Sequence, residues 1–150
     1  MRQLIIKLLL GLCMGAALPV CAQDAVHYYF RTMDIRNGLS QNTVYQILQD
    51  RKGFMWFGTK DGLNRYDGLS FRIYKKENSG LGKNFITALY EDCRGNIWIG
   101  TDGGVFIYDP VLDSFTAFDE ASDNGSVIRD FVTMIGSDED DNIWISVENQ

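Results

Sequence analysis

The sequence predicts an all-β fold assembled from four-stranded antiparallel units, and three observations carry that prediction. First, one phrase is written three times: DRKGFMWFGT at 50–59, DCRGNIWIGT at 92–101 and DEDDNIWISV at 138–147. Second, each copy consists of short runs rich in β-branched and aromatic residues, separated by Asp- and Gly-bearing turns. Third, no unit contains ten residues of 3.6-residue periodicity without a turn signal, which excludes helical repeats.

The recurrence is wider than the phrase. Val44, Asp50, Gly53, Trp56, Gly58 and Gly62 reappear 42 residues on as Ile86, Asp92, Gly95, Trp98, Gly100 and Gly104. A third copy stands 46 residues further, at Val132, Asp138, Asp141, Trp144 and Ser146. The openings match as well, with Gly38-Leu39 and Asn42 echoed by Gly80-Leu81 and Asn84.

Within the first unit, Thr43 to Gln49 and Phe54 to Thr59 read as a hairpin closed by Asp50-Arg51-Lys52-Gly53. An aspartate opening a turn accepts backbone N–H groups two or more residues on, and glycine supplies the positive φ that closes it. In the third copy Asp141 takes the glycine's place, and Asp is among the residues that tolerate a left-handed backbone. Gly62–Tyr66 and Phe71–Tyr74 supply two further strands, matched by Gly104–Tyr108 and Phe115–Phe118. Four strands in about 40–45 residues is the spacing of β-propeller blades. Each tryptophan is expected to pack between adjacent blades, with Gly58 and Gly100 permitting close backbone approach.

Residues 1–22 stand apart. Arg2 and Lys7 precede an apolar run from Leu8 to Leu18, and Val20-Cys21-Ala22 offers small residues before Gln23. That is the layout of a secretory signal peptide cleaved after Ala22, with a lipoprotein reading through Cys21 and an uncleaved membrane anchor as the alternatives. Residues 23–37 then form an N-terminal segment. Its Phe30-Arg31-Thr32-Met33 resembles the last strand of a unit and is expected to be an orphan outer strand. Blade 1 spans 38–79, blade 2 spans 80–123, and a partial blade 3 spans 124–150. Propellers close with about 4–8 blades, so the chain reads as the front of something longer, with raw apolar faces and poor solubility or oligomerisation when isolated.

The chain carries 14 basic and 20 acidic side chains, a net charge of −6. Loss of Arg2 and Lys7 with the signal leaves 12 basic against 20 acidic, or −8. Such a chain repels phosphate backbones and anionic lipid, which excludes nucleic acid as a partner. Of three cysteines, Cys13 and Cys21 leave with the signal, so Cys93 has no partner for an internal disulfide.

From Gly38 onward, GLSQNTVYQILQDRKGFMWFGTKDGLNRYD and its partner GLGKNFITALYEDCRGNIWIGTDGGVFIYD closely resemble the two-component regulator propeller repeat, over about residues 30–147. The third copy departs, with Asp141 and Ser146 in place of glycines. The resemblance implies a periplasmic sensor propeller followed by an immunoglobulin-like domain, a transmembrane helix and a cytoplasmic histidine kinase, hybrid members adding receiver and DNA-binding parts. It implies a membrane-anchored homodimeric parent in the inner membrane, the remaining blades as partners of these, and an oligosaccharide ligand. A polysaccharide- or lactone-cleaving exported enzyme and a secreted interaction scaffold are the alternative functions.

No catalytic, cofactor or metal site emerges. Asp50, Asp92 and Asp138 stand at the same turn of every copy, so the turn explains them. Asp138, Asp140 and Asn142 have the spacing of a calcium loop, but Ile143 sits where the sharp-turn glycine belongs and Asn149 where the closing Glu belongs. Cys93 lacks a sequence-local histidine, His27 being the only one. Ser40 and Gly80-Leu81-Gly82-Lys83 complete no nucleophile-elbow or phosphate-loop pattern. Ligand residues are sought where copies disagree: Lys60-Asp61 against Asp102-Gly103, Asn64-Arg65 against Phe106-Ile107, Lys75-Lys76 against Asp119-Glu120. Lys60, Asn64 and Arg65 are able to bond sugar hydroxyls with Tyr66 as a stacking face, although solvated surface is the simpler reading and no binding site is named.

Overall fold

The computed structural model describes residues 27–121 and 127–148. The signal-peptide segment at 1–22 lies outside the described residues. The chain divides into two compact units, 1–31 and 32–150. Residues 27–31, the described part of the first, carry no regular secondary structure.

In the second unit, Asp34 opens a 3-10 turn over Ile35–Asn37, its carboxylate accepting the Arg36 N–H at 2.8 Å. Two complete sheets follow. The first is β1 (Val44–Gln49), β2 (Met55–Thr59), β3 (Gly62–Tyr66) and β4 (Phe71–Tyr74), in that spatial order and antiparallel throughout. The second repeats it with β5 (Ile86–Glu91), β6 (Ile97–Thr101), β7 (Gly104–Asp109) and β8 (Ser114–Ala117). A one-turn helix, α1 (Phe118–Ala121), leaves the second sheet. A two-stranded antiparallel sheet of β9 (Phe131–Ser137) and β10 (Ile143–Glu148) opens the third copy.

This is an all-β chain of propeller-like blades, two complete and one begun. Two expectations need correction. No strand forms over Phe30–Met33: residues 27–34 lie in no sheet, because a strand without a ladder partner has nothing to hold its backbone extended. Phe118 also does not end a strand. It starts α1 and turns its ring to Trp98, at 5.9 Å between centroids.

Every first strand carries one extra residue near its start. The register between β1 and β2 passes from Val44↔Thr59 to Gln46↔Gly58, leaving Tyr45 as a bulge. The same slip falls at Thr87 and Thr133. A bulge repeated at one place pins the hairpin's register.

The core sits between the sheets. Trp56, Leu63 and Tyr74 of the first blade meet Ile86, Leu89, Ile97, Ile99 and Tyr108 of the second, all essentially buried. A second cluster joins Ala88 and Val105 to Val132 and Ile135, with Trp98 packed against it.

Candidate functional site

The recurrent aspartate is the centre of a local network. Asp50 Oδ1 accepts the N–H groups of Lys52 (3.0 Å) and Phe54 (2.9 Å), and Oδ2 accepts the indole N–H of Trp56 (2.8 Å). Asp92 takes Arg94 and Asn96 N–H groups, the Asn96 amide and the Trp98 indole in the same way, all within 2.9–3.0 Å. Asp138 repeats this with Asp140, Asn142 and Trp144. Gly53, Gly95 and Asp141 close the three turns at φ 89°, 90° and 62°. The tie from turn carboxylate to indole is invisible in the sequence until the register puts the two on one side of the hairpin.

These bonds to the ionised form show in acidity. Burial pushes Asp92 up, but the Trp98, Asn96 and Arg94 donors outweigh it and the net shift is downward. Asp138 is held down at about 2 by the Trp144 indole first and then by Asn142. The calcium-loop spacing at 138–142 is thereby accounted for: the Asp138 carboxylate is occupied by its own turn, and no cluster of metal-ligating side chains occurs among the described residues.

The three tryptophans differ in fate. Trp56 is 1% exposed, stacking with Tyr74 at 6.0 Å and meeting Tyr108 edge-on at 5.1 Å. Trp98 is half-buried, while Trp144 is 66% exposed. Packing between blades therefore holds where a following blade is present.

Several loop candidates prove to be scaffold. Asn64 is fully buried, accepting the Ser40 N–H at 2.9 Å and donating to Ser40 Oγ and the Phe57 carbonyl. Ser40 Oγ also lies 3.0 Å from Thr59 Oγ1. Tyr66 is buried and donates to the Gly68 carbonyl. Arg65 spans the seam between blades 1 and 2, donating to Tyr108 Oη at 3.0 Å with its guanidinium 4.7 Å from the Phe54 ring. Neither a sugar-binding nor a solvated reading fits Asn64 and Tyr66, because the lead-in and the neighbouring turn fold over them. Lys60 alone of the four is exposed, its Nζ 5.9 Å from the Phe85 ring. Gly80 to Gly82 is packed backbone, not a phosphate loop: a Cβ on Gly82 would stand 2.5 Å from the Phe106 ring.

Cys93 is free and exposed. It occupies the place of Arg51, which reaches from blade 1 to blade 2. Arg51 pairs with Glu91 (Nε to Oε1, 2.8 Å) and donates to the Cys93 and Asp92 carbonyls. Where Cys93 cannot make that reach, a cleft of about 430 Å³ remains, bordered by Arg94, Trp98, Asp140 and Asp141.

The other place where copies disagree is more open. Lys75 pairs with Asp61 at 2.6 Å across the loops of blade 1, and blade 2 has Asp119 and Gly103 there instead. In place of that pair lies a cleft of about 410 Å³ bordered by Lys83, Asp102, Asp119, Arg129, Phe106 and Ile128. Its charged groups make no salt bridge among the described residues. Such a rim can donate to and accept from a neutral polar ligand, but it holds no arranged nucleophile and base.

Known proteins share this construction. Residues 38–61 and 80–103 match the family Two component regulator propeller. The extracellular domain of BT3049 from B. thetaiotaomicron, assigned to a hybrid two component system, superposes with a TM-score of 0.66 at 32% identity, over 77% of this chain. The extracellular domain of BT4673 from the same organism gives 0.64 at 27% identity, over 82%. A 59-residue stretch is 42% identical to "Histidine kinase P4" of Formosa agariphila. The chain spans 4% of that kinase and 17% and 18% of the two structural relatives. On its repeated turns, its blade architecture and these matches, the chain carries repeats of the two-component regulator propeller family.

Proposed function

We propose that this chain forms the leading blades of a periplasmic, ligand-sensing propeller in a membrane-anchored hybrid histidine kinase. The observation that carries the proposal is the likeness, over 77% of the chain at 32% identity, to the extracellular domain of a protein assigned to a hybrid two component system. These blades act by binding rather than by catalysis, and the signal segment at 1–22 exports them. The assembled ring captures an oligosaccharide, and capture shifts a two-state equilibrium of the dimeric parent that reaches the kinase through the membrane. The cleft around Lys83, Asp102, Asp119 and Arg129 supports a hydroxyl-rich ligand: carboxylates accept from hydroxyls and the basic groups donate to them.

Thermal unfolding of the complete ectodomain, with and without panels of plant and host oligosaccharides, tests this. A true ligand at about one hundred times its Kd adds about 2.7 kcal/mol of stability and raises the midpoint measurably. Cleavage of a panel member by the ectodomain, or an open reading frame that ends after a closed ring without a kinase, contradicts the proposal.

A further inference from the structure

Both observed seams close on one contact. A Cβ built on Gly58 would stand 2.7 Å from Ile86 Cγ2, and one on Gly100 would stand 2.6 Å from Val132 Cγ1. Carbon atoms do not pack that closely, so each seam needs a glycine facing a β-branched residue. The third copy places Ser146 there, opposite Met134 as Gly58 is opposite Gln46 and Gly100 opposite Ala88. A serine at that place cannot receive isoleucine or valine at the spacing of the other two seams. Yet the surface around it is a seam surface. Trp144 and Met134, 66% and 65% exposed, stand where blades 1 and 2 present Trp56 with Gln46 and Trp98 with Ala88 to the blade that follows.

We propose that this face of blade 3 is covered by a further blade of the same polypeptide whose first strand carries glycine or alanine opposite Ser146. The small residue has changed sides of the seam. The occupant follows from continuity with the two seams already built, and from a chain that spans only 17% of its structural relative. The size follows from geometry: the Cβ atoms of Ile86 and Val132 lie 3.2 and 3.0 Å from the built position. Glycine therefore fits outright, and alanine fits after a shift of a few tenths of an ångström. The Ser146 Oγ accepts from Thr133 Oγ1 at 2.9 Å, and its own O–H needs only a backbone carbonyl of the covering strand, which glycine and alanine supply equally. The inference does not depend on which ligand the ring binds.

The test uses the complete ectodomain of the parent protein. Its structure identifies the residue that holds the place of Ile86 and Val132 in the strand after blade 3. That residue is replaced by valine, alone and together with Ser146→Gly, and thermal midpoints are compared. Valine alone is expected to lower the midpoint by about 1–2 °C in an ectodomain several times the length of this chain, and Ser146→Gly in the same chain to recover most of that loss by restoring the usual seam. An isoleucine or valine already present there, an element other than a blade strand lying on Trp144, or a valine replacement tolerated beside Ser146 overturns the proposal.

Discussion

The seam between blades 1 and 2 and the seam between blades 2 and 3 share a lock but not a fastening. Both close a glycine of the second strand onto a β-branched residue of the next blade. Around that lock, the first seam is tied by Arg51 to Glu91, by Arg72 to Asp113 at 2.7 Å, and by Arg65 to Tyr108. Tyr108 also donates to Asp113 at 2.7 Å, a bond that with the Arg72 pair keeps the Asp113 carboxyl below its ordinary range. The second seam has no salt bridge among the described residues; its polar contact is Tyr90 to Ser137 at 2.6 Å. The difference teaches that the close glycine contact is what the two observed seams hold in common, whereas the ionic ties are local additions free to vary.

Breaking the shared contact should cost most. Gly58→Val or Gly100→Val drives methyl groups into Ile86 or Val132, and the loss expected is about 3 kcal/mol, read by denaturant unfolding of the ectodomain. A loss equal to that of a surface substitution would show that the seams are looser than their geometry implies.

Next comes the turn network. Asp92→Ala leaves the Arg94 and Asn96 N–H groups and the Trp98 indole without their acceptor, at a cost of about 1–3 kcal/mol. Asp138→Ala removes the same bonds from an exposed turn, where water replaces them, and should cost distinctly less. Equal losses at the two sites would mean that the network, and not the seam covering it, sets the value.

The ionic fastening is smaller. Arg51→Ala should cost about 0.2–1 kcal/mol, as expected of a partly exposed pair. Cys93→Arg places the same side chain at the second seam, where Ser137 stands in Glu91's position, and should raise stability by less than Arg51 contributes. A gain larger than that would identify a partner at the second seam that the present side chains do not reveal.

The smallest effect is in pH. Asp92 and Asp138 titrate below their unfolded values, so their contribution is complete above about pH 4. It declines as pH falls toward about 2, the value to which Asp138 is held. Asp138→Asn should lower stability slightly at neutral pH, where the ionised carboxylate contributes, and flatten the acid limb in that window so that the two proteins converge toward about pH 2; an unaltered limb would remove this carboxylate from the account.

Much of this architecture is legible in the sequence, for reasons that are local. Gly62–Tyr66 and Phe71–Tyr74 are bounded by turn residues whose conformations are set by their own side chains, and the structure begins and ends β3 and β4 there. The positive φ at Gly53 and Asp141 follows from the same logic. What escapes depends on distant neighbours. Asn64 lies in a strand whose copy reads Phe106, yet it is buried because Ser40, 24 residues earlier, folds onto it. Arg65 looks like a solvent-facing cation until Tyr108, 43 residues later, meets it. The 410 Å³ cleft arises from two replacements, Asp119 for Lys75 and Gly103 for Asp61, whose meaning appears only once the salt bridge they displace is seen.

The turn network also bears on the order in which the chain assembles. The bonds from Asp50 to Trp56 close over six residues, whereas the contact of Gly58 with Ile86 waits for a residue 28 positions later. Short-range contacts form before long-range ones because they restrict less chain. Each hairpin is thus fixed, with its tryptophan already oriented by the turn carboxylate, before the surface that will cover that tryptophan has been made. A nascent chain adding blades one after another carries, at every stage, a single finished but uncovered indole at its growing end. In the 150 residues here that indole is Trp144.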